Sequence, residues 1–139
     1  MLTTLTSITA HAAMQQVLLK TSPKIDSNFQ ITEEAKIEAD QYRSIVSRLG
    51  LSDGQGIKEW KATQNVAGGN RKAPVEVEMT EEDRNVIIAL LEKDIAEKEE
   101  VLNYHRQMNS VTNVVATFQF LVDVLKDAVQ ELSQKTIQE

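Results

Sequence analysis

The chain has no cysteine, only two prolines and five glycines, and only three Phe, two Tyr and one Trp among 139 residues. Without cysteine there is no disulfide framework and no thiol nucleophile. With so few helix breakers, long uninterrupted helices are open to the chain. With so few large rings, the core must be built from Val, Leu, Ile and Ala, which suits helix-on-helix packing. Hydrophobic residues make up 41% of the chain, enough to bury a core. No run approaches the ~20 apolar residues of a membrane span. The opening, MLTTLTSITAHAAM, lacks the basic and continuous apolar regions of a signal peptide, so synthesis in the cytoplasm followed by incorporation into an assembly is expected.

Candidate chemistry is equally sparse. The formal charge of −6 argues against non-specific nucleic-acid binding and against an anionic membrane surface. His11 and His105 are the only histidines, and neither has a Glu-x-x-His or His-Glu-x-x-His neighbourhood. Gly54-Gln55-Gly56 and Gly68-Gly69 lack the further residues of a phosphate-binding loop. The acidic run Glu92, Asp94, Glu97, Glu99 and Glu100 is interleaved with Lys93 and Lys98, as on a solvated helix face. No catalytic, metal or cofactor site is expected, and the chain does not read as an enzyme.

What the sequence does carry is concentrated in residues 80–132, a stretch without Pro or Gly. Thr80 reads as an N-cap, with Glu81, Glu82 and Asp83 in the first turn and Asp83 placed for a capping box. Apolar residues then fall at Val101, Tyr104, Met108, Val111, Val115, Phe118, Val122, Leu125, Val129 and Leu132, in steps of three and four. That is a heptad seam, widened by Val114, Leu121 and Ala128. Traced backwards, the seam meets Glu97 and Asp94, which predicts a shift of register between Ile95 and Val101. Asn109, Ser110 and Asn113 form a second candidate break. One continuous helix here would be about 80 Å long.

Upstream, residues 2–20 read as a helix ended by Ser22-Pro23, and Thr32 caps a second helix closed by Gly50. Residues 51–79 read as a loop or arm. Its end, Val75-Glu76-Val77-Glu78-Met79, alternates as a short strand needing a partner in this chain or another copy. Trp60 is the expected anchor of that arm, and Arg71 and Lys72 are candidate contacts to an acidic surface. No internal repeat or low-complexity tract is present. Residues 44–61, SIVSRLGLSDGQGIKEWK, resemble the helix-turn-helix of DNA-binding proteins through Leu49, Gly50, Leu51, Ser52, Ile57 and Trp60. The resemblance implies phosphate contacts from Lys58 and Lys61. Here Ile57 and Trp60 stand one residue late, and Gly54 and Gly56 fall inside the second helix.

The expected architecture is therefore mainly α: an elongated helical bundle with a long C-terminal helix, continuous or kinked, and one short strand or arm in the middle. Residues 1–50, 51–79 and 80–139 form its successive parts within one domain. The leading functional expectation is a non-enzymatic structural subunit of a multi-copy assembly, of the kind found in virion connectors, tails and secretion rods, forming a homo-oligomer within a larger protein assembly. Its expected interface residues are Trp60, Met108, Val111, Val115, Phe118, Val122, Leu125 and Val129. A small helical adaptor or assembly chaperone and a helix-turn-helix DNA-binding oligomer are the alternatives. Replacing Trp60 with Ala is expected to leave the far-ultraviolet helical signal intact while weakening association. An unchanged oligomer would reduce Trp60 to a local packing residue.

Overall fold

The computed structural model describes residues 2–50, 74–109 and 111–135. Among these the chain is mainly helical with a small two-stranded sheet, in the order β1 (Leu2–Thr6), α1 (Ser7–Leu18), α2 (Glu33–Gly50), β2 (Pro74–Glu78), α3 (Glu81–Gln107) and α4 (Thr112–Gln134). Trp60, Arg71, Lys72 and the second half of the helix-turn-helix-like stretch lie outside the described residues.

The Thr-rich opening is not the start of a helix but a strand, β1, and the helix begins only at Ser7. β-branched Thr loses side-chain freedom in a helix and packs well on a pleated surface. β1 pairs antiparallel with β2, Leu5 opposite Val75 and Thr3 opposite Val77, so the strand expected near 75–79 finds its partner in the same chain. Pro74 stands at the first position of its strand, where its missing N–H is tolerated. A pair of strands is marginal alone. This one is held because Leu5, Val75 and Val77, followed by Met79, turn one face into the core.

The long C-terminal stretch is not one helix. It folds into two, α3 of about 40 Å and α4 of about 35 Å, antiparallel to each other. Antiparallel pairing is read directly from the contacts: Arg106 with Gln119, His105 with Phe118, and Glu99 with Lys126. The turn falls at the Asn109 break, where Asn109 adopts φ 52°, the left-handed conformation that ends helices. Asn tolerates that region because its short amide can bond locally.

α1 packs against both hairpin helices at their base, and also against α2. Its inward face is small, with Ala10, Ala12 and Ala13 beside Met14 and Val17, which lets α1 approach closely. The core joins these to Leu49, Ile87, Leu91, Leu125, Ala128 and Leu132. α2 starts as expected, with Thr32 Oγ1 accepting from the Ala35 amide at 3.1 Å, and buries Ile45 and Leu49. Between α1 and α2 a tight turn built on Asp26 carries Phe29 at φ 61°, almost fully exposed.

Val122 is 1% exposed, where α4 meets α3. Val122→Asp is expected to destabilise the fold by several kcal/mol, since a charge there has no partner and no water. Soluble protein with wild-type thermal stability would remove the hairpin seam from this account.

Candidate functional site

The hairpin has two unlike sides. Glu99, Arg106, Gln119 and Lys126 lie on one, where Arg106 Nη2 donates to Gln119 Oε1 at 2.6 Å and Lys126 Nζ meets Glu99 Oε1 at 3.1 Å. Gln119 in turn donates to Asp123 Oδ1 at 2.9 Å. That side is a row of polar pairs.

On the other side α3 carries Leu90, Asp94, Glu97, Val101, Tyr104 and Met108, spaced four, three, four, three, four and therefore aligned along one strip. Val114, Leu121 and Ala128 make the matching strip of α4. In an antiparallel pair, equal rotations from the line of contact point to the same side, so both strips share one face. α1 covers the base of that face. Gln16 Nε2 donates to Asp94 Oδ2 at 2.7 Å, and Ala128 is 1% exposed. The stretch between Ile95 and Val101, where a shift of register was expected, lies inside one uninterrupted helix, α3, and Asp94 of the strip accepts from both Gln16 of α1 and Lys98.

Among the described residues, none covers the face beyond the end of α1. Val101, Tyr104 and Met108 are 38%, 58% and 61% exposed, and Val111 at the turn is 73% exposed. Leu18 and Leu19, at the end of α1, stand 43% and 73% exposed and form a ledge where the open region begins. A groove of about 540 Å³ lies there, with Leu18, Leu19, Leu90, Lys93, Asp94 and Lys98 in its walls. Arg106 is the only Asp, Glu, Lys or Arg between positions 101 and 122, in a chain that is 26% charged.

The expected seam therefore divides. Val122 and Leu125 are buried within the chain, Val115, Phe118 and Val129 are half-buried, and Met108 and Val111 are exposed. Tyr104 and Phe118 flank the His105 ring, the first edge-on at 5.5 Å and the second stacked at 5.6 Å. The Leu18–Leu19 ledge was not among the expected site residues. Its only sequence signal is that positions 1–19 contain no Asp, Glu, Lys or Arg.

Three polar contacts hold the base on which this face stands. Glu131 of α4 accepts from the Thr6 amide and the Thr6 hydroxyl, both at 2.8 Å, placing a carboxylate at the positive end of α1. Arg48 of α2 clasps Asp83 of α3 through two hydrogen bonds, Nε at 2.8 Å and Nη2 at 2.6 Å. Asp83 also completes the capping box with Thr80. Arg84 Nη1 donates to the carbonyl of Lys135, closing the end of α4. Burial pushes the Asp83 carboxyl up, but Arg48 and Thr80 outweigh it and hold the group below its ordinary value; the same balance, with Thr9 and Thr6 as donors, holds for Glu131. Burial lowers His11 on α1.

Among the described residues no group of three or more His, Cys, Asp or Glu could hold a metal ion, and no helix is long and apolar enough to cross a membrane. No known protein family, curated protein or solved structure matches this chain.

His11, Asp83 and Glu131, all held below their ordinary values, act in the same direction with pH. Asp83 and Glu131 bind protons more weakly folded than unfolded, so their stabilisation is present above their ordinary values of 3.8 and 4.5 and is lost as pH falls through the lower folded values. His11 resists protonation in the fold, so stability begins to fall below its ordinary 6.5. The melting temperature is expected to be level near neutrality, to decline below pH 6.5 and to fall steeply below about pH 4.5. Asp83→Asn should cost about 1–3 kcal/mol at pH 7 and flatten the acid limb. An unchanged acid limb would take Asp83 out of it.

Proposed function

We propose that this protein is a non-enzymatic structural subunit that assembles with further copies of itself through the open face of the α3–α4 hairpin. One observation carries the reading: a face that α1 covers at its base continues past the end of α1, charged at first around Glu97 and then apolar through Val101, Tyr104, Met108 and Val111. Helix pairs of this kind gain stability when a further layer covers them, because a pair buries only the residues between its own helices. Solvent contact at Val101, Tyr104, Met108 and Val111 has no folding benefit within the chain, and exposed apolar surface of this continuity marks association surfaces. In the assembly the chain is an elongated helical bundle, with the hairpin as its projecting part. Residues 51–73, carrying Trp60, Arg71 and Lys72, serve there as an interlocking arm, a role that rests on the sequence alone.

A small helical adaptor is the second reading, favoured by the groove beside Leu18 and Leu19, which could seat one foreign helix.

Light scattering behind a sizing column, over a concentration series, separates the two. A self-assembling subunit is expected to show mass rising with concentration. Tyr104→Glu is expected to weaken that association at least about ten-fold, or about 1.4 kcal/mol, with the helical signal intact. A monomer at every concentration would sink the subunit reading.

A further inference from the structure

Beyond that reading, and at a separate surface, we infer that the outer edge of β1 is a pairing site that takes the β1 strand of a second copy, antiparallel across a twofold axis.

The register shows which backbone groups are available. In an antiparallel pair, successive residues turn their N–H and C=O groups alternately toward the partner strand and away from it. Thr6 stands opposite Pro74, which has no N–H, and the Thr6 amide donates to Glu131 Oε1 at 2.8 Å instead of to β2. Thr6 therefore points outward. By alternation Thr4 and Leu2 do so too, while Thr3 and Leu5 exchange bonds with Val77 and Val75. Glu131 takes the outward amide at Thr6. Among the described residues nothing takes the amide or carbonyl of Thr4, whose side chain is exposed.

The two outer edges are guarded unequally. An unpaired edge is a template for another strand, and proteins blunt it with charge, proline or a covering element. β2 has all three. Pro74 lacks the donor, Glu76 and Glu78 put charge at the outward positions, and α2 packs against the strand. β1 has neither charge nor proline, and its register runs without a bulge, in a chain that is 26% charged.

A second β1 meets what this edge requires. An antiparallel edge is complementary to itself, since a twofold rotation sets each outward N–H against an outward C=O of the same strand. Each chain carries −6, and this pairing brings no charged strand residue against its like, as pairing through Glu76 and Glu78 would. With Glu131 closing Thr6, the groups left are those of Leu2 and Thr4. Leu2 of one copy then lies opposite Thr4 of the other, and Thr3 faces Thr3 across the axis, a type of pair that stabilises antiparallel strands. The two sheets become one, in the order β2–β1–β1–β2. So short a pairing is marginal alone, and it is expected to depend on concentration.

Hydrogen exchange followed by NMR on the full chain reads the Thr4 amide directly, and light scattering on the same samples reads the mass. Exchange at Thr4 is expected to slow at least about ten-fold from dilute to concentrated protein, as a bonded amide is protected. Thr4→Pro removes the outward N–H without removing a bond to β2, because proline is tolerated where the N–H faces away from the sheet. That variant is expected to keep its helical signal and show a lower mass at a given concentration, while Thr4→Val, which retains the N–H, matches the wild type. Unprotected exchange at Thr4 in samples that light scattering shows to be oligomeric overturns this pairing and leaves the hairpin reading standing. Protection already present in a dilute monomer means that the chain covers its own edge, and overturns the pairing too. So does a folded Thr4→Pro variant of wild-type mass; if that variant does not fold, the wild-type exchange decides alone. A monomer at every concentration overturns both readings.

Discussion

A helical hairpin encloses only the residues between its two helices, so everything else depends on what covers its flanks. In this protein α1 and the β1–β2 pair cover one flank at the base, and the core forms there, around Leu5, Val17, Val75, Ile87, Leu91 and Leu132. The small side chains of α1 make that covering possible. Ala10, Ala12 and Ala13 leave room for the backbone of α1 to approach both α3 and α4, where larger residues would hold it away. Among the described elements, α1 is the main one that packs against the hairpin helices.

The base is tied by polar contacts that each join elements distant in sequence. Glu131 reaches the junction of β1 and α1, Arg48 of α2 grips the first turn of α3, and Gln16 meets Asp94. In each case a carboxylate of the hairpin receives a donor from the N-terminal elements. Arg48 and Asp83 form the most buried of these pairs on the acid side, with Asp83 at 2% exposure. Removing one member of such a pair costs more than the pair contributes, because the other is left without a partner. The N-terminal layer is thus registered on the hairpin by specific directional contacts as well as by burial. That registration puts the Leu18–Leu19 ledge at one definite level along α3, which gives the open face a definite lower limit.

The helical character, the caps at Thr32 and Thr80, and the alternating strand at 75–77 were legible because they rest on local physics. Capping residues bond within one turn, and a period of two or of three-and-four places side chains by backbone geometry alone. The heptad from Val101 to Leu132 was legible in the same way, and Asn109 was visible as a candidate break. Whether the chain would run straight or reverse there was not, since both conformations satisfy the same pattern. The reversal is favoured by long-range burial of Leu102 against α4. The same limit explains β1. Five residues, LTTLT, carry too little pattern to separate strand from helix, and only pairing with β2, more than sixty positions away in the chain, settles it.

By itself, then, the sequence determined what kind of elements form and where apolar residues gather, because those depend on neighbours within a turn or a strand step. Only the tertiary structure decided which part of the seam is internal and which part is left open. Val122 and Tyr104 belong to one heptad, yet one is sealed and the other faces solvent. The difference lies in the reversal of the chain near Asn109, which turns Val122 and Leu102 inward between α3 and α4 and leaves Tyr104 on the flank, and no property of the seam residues themselves encodes which way the second helix will run.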